Sequence, residues 1–271
     1  MMTVRAIQRG LVYLGLSIAA FVSIFPFYWM IVGATNKSSL IVRGKASLGD
    51  NLVANAQAFV GLVDVPRVFW NSFEISVIAT VATLAISSTA GYGFEMFRSR
   101  LRERVFSFLL LLLTIPFAAI MVPLFSLIAR IHLVNTVTAI ILPTVASIFI
   151  IFYFRQATKA FPPELRDAAR VDGLKEWQIF LFIYVPVMRS TYAAATIIIF
   201  MLNWNNYLWP LIVLQTNEMK TVTLVVSALL SAYVPDYGAT LFATVLATLP
   251  TLVIFFLLQR QFVAGLTGGV K

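Results

Sequence analysis

Six stretches without Asp, Glu, Lys or Arg, residues 10–36, 75–94, 105–129, 131–154, 190–217 and 237–259, each run for 20 to 28 residues. A bilayer's hydrocarbon core is crossed by about 20 apolar residues of helix, so each stretch is long enough to span it. Runs such as "FSFLLLLLTIPFAAIMVPLF" lack the period-two alternation of a membrane barrel, which leaves helices as the way to satisfy the backbone inside lipid. The expectation is an all-α integral membrane protein, a single domain over residues 1–271, with spans near 11–34, 73–96, 106–129, 134–154, 190–214 and 238–259. Composition agrees: 60% of residues are hydrophobic, 11% are charged and the mean hydropathy is +0.91. A soluble domain carries about 25% charge.

The first span follows Arg5 and Arg9 as a signal peptide would, but its apolar stretch is long and no small-x-small cleavage site follows Gly33, so it reads as retained. There is no cysteine, and His132 is the single histidine, which excludes disulfides, thiolate metal sites and two-histidine zinc motifs. The net charge of +9 flanks the spans instead of forming a nucleic-acid patch. Grouped by connecting segment, fourteen Lys and Arg share a side with both termini, the 98–104 loop and the 155–189 loop, against six on the other. The positive-inside rule assigns the richer side to the cytoplasm.

One cytoplasmic segment stands apart. "FPPELRDAARVDGLKEWQIF", residues 161–180, concentrates Glu164, Arg166, Asp167, Arg170, Asp172, Lys175 and Glu176 between spans four and five, in a loop over 160–186. Pro163 suits a first helical position, Glu164 and Asp167 complement a helix N-terminus, and Asp172-Gly173 supplies a stop. A second helix is expected from Lys175, with Trp177, Phe180 and Leu181 on one side, before Pro186. By chemistry alone this is either a solvated loop with an interfacial helix or a docking element.

Asp167-Ala168-Ala169, three residues, Gly173, nine residues and Ile183-Tyr184-Val185-Pro186 resembles the EAA signature of permease subunits of bacterial ATP-binding cassette importers; aspartate replaces the usual glutamate. "FWNSFEISVIATVATLAISSTAGYGFEMFR" (69–98), "NWNNYLWPLIVL" (203–214) and "GLTGGVK" (265–271) are similar to the second permease of maltose-type carbohydrate importers. The resemblance implies that the first helix of the island is a coupling helix docked on a separate ATPase. Glu164, Asp167, Ala168, Ala169, Asp172, Gly173 and Pro186 would be the coupling residues, the alanines allowing close approach. It further implies a second, related permease, two copies of the ATP-binding subunit, an extracytoplasmic solute-binding protein, a sugar substrate and a multi-pass place in the bacterial cytoplasmic (inner) membrane. ATP and Mg would belong to the ATPase, and this chain would bind no cofactor and catalyse nothing. The residues agree, since "SLIVRGKAS" departs from a phosphate-cradling loop at Ser39 and Ala46.

Asn203, Trp204, Asn205, Asn206, Tyr207 and Trp209 fall about 20 Å along span five from Arg189 at a rise of 1.5 Å per residue, in the outer half of the bilayer. Amides there require partners or water. They suit a sugar path, or equally an interfacial aromatic belt with inter-helix bonds. Gly91 and Gly93 read as close helix packing, and Glu95 with Arg98 as a helical pair. The tail residues Gly268, Gly269 and Lys271 are expected to reach the ATPase, with Gly265 helping to end span six. A secondary transporter or channel, or import of a glycerol phosphate, are the alternatives; no carboxylate at mid-membrane depth speaks for proton coupling.

Overall fold

The computed structural model describes the backbone of residues 2–267 and the side chains of residues 9–260. All regular structure in this range is helical: α1 Met2–Ala34, α2 Ser38–Val42, α3 Leu52–Leu62, α4 Val65–Met96, α5 Arg100–Leu112, α6 Phe117–Arg130, α7 Val137–Ile141, α8 Ile148–Thr158, α9 Pro163–Val171, α10 Glu176–Ile179, a π turn Phe180–Tyr184, α11 Val185–Val187, α12 Arg189–Trp204, α13 Leu208–Val213, a 3-10 turn Asn217–Met219, α14 Val222–Leu230 and α15 Tyr237–Thr267. Contacts divide the chain into two compact units, one running to Val65 and including Val225–Leu249, the other formed by Pro66–Leu224 with the residues from Pro250 onward.

In the first unit, the buried amide of Asn55 donates to the carbonyls of Ala34 and Asn36 at 2.8 and 3.0 Å, closing the end of α1 onto α3. Within the chain α1 is exposed from Arg9 to Tyr28 and buried at Val32–Ala34, while α15 is exposed at Leu249, Val253 and Phe255–Leu257 and half-buried over most of the rest. Faces this apolar are covered by lipid or by another membrane helix.

Where the sequence suggests six uninterrupted spans, four helices are long and apolar enough to cross a membrane, or five if α5 and α6 count as one bent span. Prolines account for the difference. At the break between α5 and α6 the axes turn by 101°, because Pro116 donates no N–H and disfavours helical Ile115; before it, Thr114 and Ile115 retreat to i−3 carbonyls. The expected span 134–154 is interrupted after Ile141, near Pro143, and resumes at Ile148, where the Ser147 hydroxyl accepts from the Ile150 N–H. Span five is one of the four, Arg189–Val213, yet α12 gives way to α13 after Trp204, where Asn203 and Asn205 turn their amides back onto the carbonyls of Ile199 and Met201 at 2.9 and 3.0 Å. Length of a charge-free run is visible in composition; these interruptions are not.

In the second unit, Gly91 packs so closely on α8 that a Cβ there would lie 2.6 Å from Phe154 Cβ and 2.8 Å from the Arg155 nitrogen. Close packing is thus right for Gly91. At Gly93 an added Cβ would meet nothing within 4 Å, so that glycine makes no close packing within this chain.

Candidate functional site

The charged island folds as its local chemistry dictates. Pro163 opens α9, Glu164 lies in its first turn, and Asp172 caps its end. Gly173 adopts φ +82°, while Leu174 N–H donates to Ala169 O and Gly173 N–H to Arg170 O, each at 3.0 Å. This pair of bonds is the Schellman closure, in which glycine takes the left-handed position without a Cβ penalty. The second helix is capped by Lys175 and carries Trp177 and Leu181 on its exposed side, with Phe180 half-buried, while Ile179 and Tyr184 turn inward. A π turn shifts the phase: Val185 N–H donates to Phe180 O, five residues back, just before Pro186.

Arg166 anchors the island to the C-terminal end of α4. Its guanidinium is 3.2 Å from Glu176, donates to Met96 O at 3.3 Å, and stacks 4.7 Å from the Phe97 ring centroid. Arg170 holds the other Glu176 oxygen at 2.6 Å. Burial alone would raise the Glu176 carboxyl, but Arg170 and Arg166 together outweigh it and hold the group below its ordinary value. Outward, α9 exposes Glu164, Asp167, Ala168 and Asp172, together with Leu165 and Val171, the last 88% exposed. Ala169 is only 3% exposed: it packs into this chain's own fold, leaving Ala168 as the small residue that a partner could approach.

A second arginine cluster lies beside it and was not anticipated. Glu95 pairs with Arg98 as expected, but also with buried Arg155 at 3.4 Å. Arg155 reaches Glu103 at 2.5 Å and sits 4.0 Å from the Phe106 ring centroid, joining α4, α5 and α8. The Arg155 hydrogen bond holds the exposed Glu103 carboxyl below its ordinary value. The available signal was a cation and two carboxylates at the same inner depth on three helices; what was missing was their adjacency.

The amide-rich segment divides in two. Asn203, Asn206 and Trp209 line a cavity of about 340 Å³, with Phe117, Thr144 and Ser147 among the other walls. Asn205 is exposed outside it and Trp204 is buried, stacked on Phe200 at 5.6 Å, while half-buried Tyr207 packs on the core around Trp209. Trp209 donates its indole N–H to Ala139 O at 2.9 Å, so it is a core residue of this unit and not part of an interfacial belt. Among the described residues no group of three or more His, Asp or Glu could hold a metal ion. Gly268, Gly269 and Lys271 lie outside the described residues. α15 continues through Gly265 to Thr267, so Gly265 does not end the helix.

Residues 88–268 match the family model described as "binding-protein-dependent transport system inner membrane component". The chain is 65% identical over 259 residues to the lactose transport system permease protein LacG of Rhizobium radiobacter, covering 96% of this chain and 95% of that one. It is 36% identical over 271 residues to the arabinooligosaccharides transport system permease protein AraQ of Halalkalibacterium halodurans, covering 98% of this chain and 97% of that one. In fold it is similar to a chain of a bacterial ABC transporter involved in import of the acidic polysaccharide alginate, with TM-score 0.76, 19% identity, and coverage of 95% and 97%. An EAA-type island, the family match over most of the chain and full-length relatives agree: this chain belongs to the inner-membrane permease components of binding-protein-dependent ABC transport systems.

Proposed function

We propose that this chain is a permease subunit of an ATP-driven importer of a disaccharide or short oligosaccharide, and that α9 transmits the ATPase's motion to the membrane helices. The sugar assignment is supported by the lactose and arabinooligosaccharide permeases among its relatives; a glycerol-3-phosphate permease, from Agrobacterium fabrum, is 30% identical. The working arrangement is one permease domain with six crossings, α5–α6 and α7–α8 each being an interrupted one, and both termini in the cytoplasm. A second, related permease, two ATP-binding subunits that hold ATP and Mg, and an external solute-binding protein complete it. The tail residues Gly268, Gly269 and Lys271 offer a further ATPase contact.

The observation that carries this reading is the outward face of α9. Leu165, Ala168 and Val171, at i, i+3 and i+6, leave an apolar strip flanked by Glu164, Asp167 and Asp172. In water such a strip gains by meeting a groove, and its acidic rim selects a basic one. The body of the helix is meanwhile held by Arg166 and Arg170, so force at the strip is passed to α4 and α10.

Ala168→Glu should retain insertion and thermal stability yet lose the ATPase subunit on mild-detergent purification, whereas Lys159→Ala retains it. Normal retention and ATP-dependent uptake in Ala168→Glu vesicles would remove α9 as the docking helix. Uptake driven by an ion gradient without ATP or binding protein would favour a secondary transporter. Orientation is read from single cysteines in this cysteine-free chain: one at Ser47 should react with an impermeant thiol reagent in intact cells, and one at Lys159 should not.

A further inference from the structure

We propose that the recess over the first turn of α5 holds the phosphate headgroup of an anionic phospholipid, with an acyl chain of the same lipid lying along the exposed face of that helix. This needs only a permease set in a bilayer, and neither the sugar nor the ATPase enters it.

The balance of charge singles the place out. Residues 98–104 carry Arg98, Arg100, Arg102 and Arg104 but one carboxylate, Glu103. Glu103 and the nearby Glu95 are taken by Arg98 and Arg155, a closed set of two anions and two cations. Arg102 donates to the Phe97 carbonyl and lies 5.6 Å from the Phe97 ring centroid, so it is held by groups that bring no negative charge. The side chains of Arg100 and Arg104 are exposed and make no hydrogen bond, ion pair or ring contact among the described residues. Two guanidiniums one helical turn apart are left without a counter-charge.

Both open on one volume. Arg98, Ser99, Arg100, Glu103 and Arg104 line a recess of about 490 Å³. Glu103 does not cancel the arginines there, because its oxygen meets Arg155 at 2.5 Å. Ser99 caps α5 by accepting from the Arg102 N–H at 3.3 Å, while the N–H groups of Arg100 and Leu101 have no acceptor within the helix. A phosphodiester carries one negative charge on two free oxygens, which suits a pair of planar guanidiniums.

The surface that continues from the arginines separates a lipid from a free anion. Arg100, Arg104, Phe108 and Leu111 share one face of α5, at i, i+4, i+8 and i+11. Phe108 and Leu111 are 59% and 65% exposed, and Leu101 and Val105 beside them are exposed too. The other side of the helix, with Glu103 and Phe106, is the one packed on Arg155. Along about 16 Å, at 1.5 Å per residue, the free face therefore reads charge first and hydrocarbon after it. An amphiphile with an anionic head has that order. An acidic protein surface or a soluble phosphate would use the arginines and leave Phe108 and Leu111 uncovered.

The test uses the assembled transporter in phosphatidylcholine vesicles that carry a trace of lipid with a diazirine in mid-chain, on either phosphatidylglycerol or phosphatidylcholine. After illumination, lipid attached to residues 101–111 is measured by mass spectrometry. Phosphatidylglycerol should label this stretch at least fivefold more than phosphatidylcholine, as basic side chains at an anionic surface predict. Arg100→Gln and Arg104→Gln should each lower that labelling at least twofold and together reduce it to the phosphatidylcholine level. Arg130→Gln, at the end of α6, should leave it unchanged, and inorganic phosphate should not compete. The single substitutions keep the outcome readable if the pair fails to assemble. Equal labelling by the two lipids, or an undiminished signal in every α5 variant, overturns the site. So does the absence of labelling by either lipid, which would mean that protein covers this face. Loss of the signal on adding inorganic phosphate would make the ligand a free anion and overturn the lipid.

Discussion

The charged island and the cavity belong to the same compact unit but are held by opposite means. Around α9, arginines do the joining: Arg166 and Arg170 share Glu176, and Arg155 bridges Glu95 and Glu103 nearby. Around the cavity no ion is present in the lining, and the neutral groups of Asn203 and Ser147 satisfy backbone atoms. Position in the bilayer explains the contrast. An ion beyond the end of a span is solvated or paired cheaply, whereas one near the centre is costly, so polar work there falls to amides and hydroxyls. The island can thus be rigid and still present charge to a partner, while the cavity stays polar without trapping an ion.

The largest expected effect strikes the ionic side of this comparison. Arg155→Ala leaves Glu95, whose side chain is 6% exposed, without its buried cation, and should destabilise the permease by about 3–5 kcal/mol in detergent melts. Arg98 still touches Glu95 from solvent, so a loss below about 1 kcal/mol would mean that the exposed partner suffices and Arg155 is dispensable.

Next in size, Ala169→Leu should overpack the interior behind α9 and cost about 1–3 kcal/mol, while Ala168→Leu, on the exposed side, leaves the melt unchanged. Equal melts for the two would mean that the inner face of α9 is not packed as described, and its rigid link to α4 would be lost with it.

The smallest effect is one of pH. Since its arginines depress the Glu176 carboxyl below 4.5, the group's stabilisation is fully present at neutral pH and is lost as pH falls through that lower folded value. In melts from pH 6 downward, the wild type's advantage over Glu176→Gln should therefore be full near neutral pH and shrink as the pH falls below 4.5. A constant difference across the range would mean that Glu176 acts through shape and not charge.

Much of the island was legible because its chemistry is local. Pro163, Glu164 and Asp172-Gly173 state where α9 starts and stops within a dozen residues, and the spacing of Asp167-Ala168-Ala169, Gly173 and Pro186 carries the family resemblance. The π turn over Phe180–Tyr184 was not legible, because its bond from Val185 N–H to Phe180 O departs from the helical spacing that the apolar residues suggest. The amides were visible as unusual, yet Asn203 and Asn206 could not be told from Asn205, since a chain that stops being helical at Trp204 no longer obeys helical spacing.

By itself the sequence determined a membrane-embedded helical permease, its expected orientation and the boundaries of α9, because apolar length, charge asymmetry and capping act over neighbouring residues. Only the tertiary structure decided which alanine of α9 is exposed, that Arg155 closes a buried network, and that three broken helices share one cavity. Each of those depends on atoms far apart in the chain, such as Thr83, Thr144 and Asn206, and their meeting follows from how separate helices pack on one another, which no local pattern encodes.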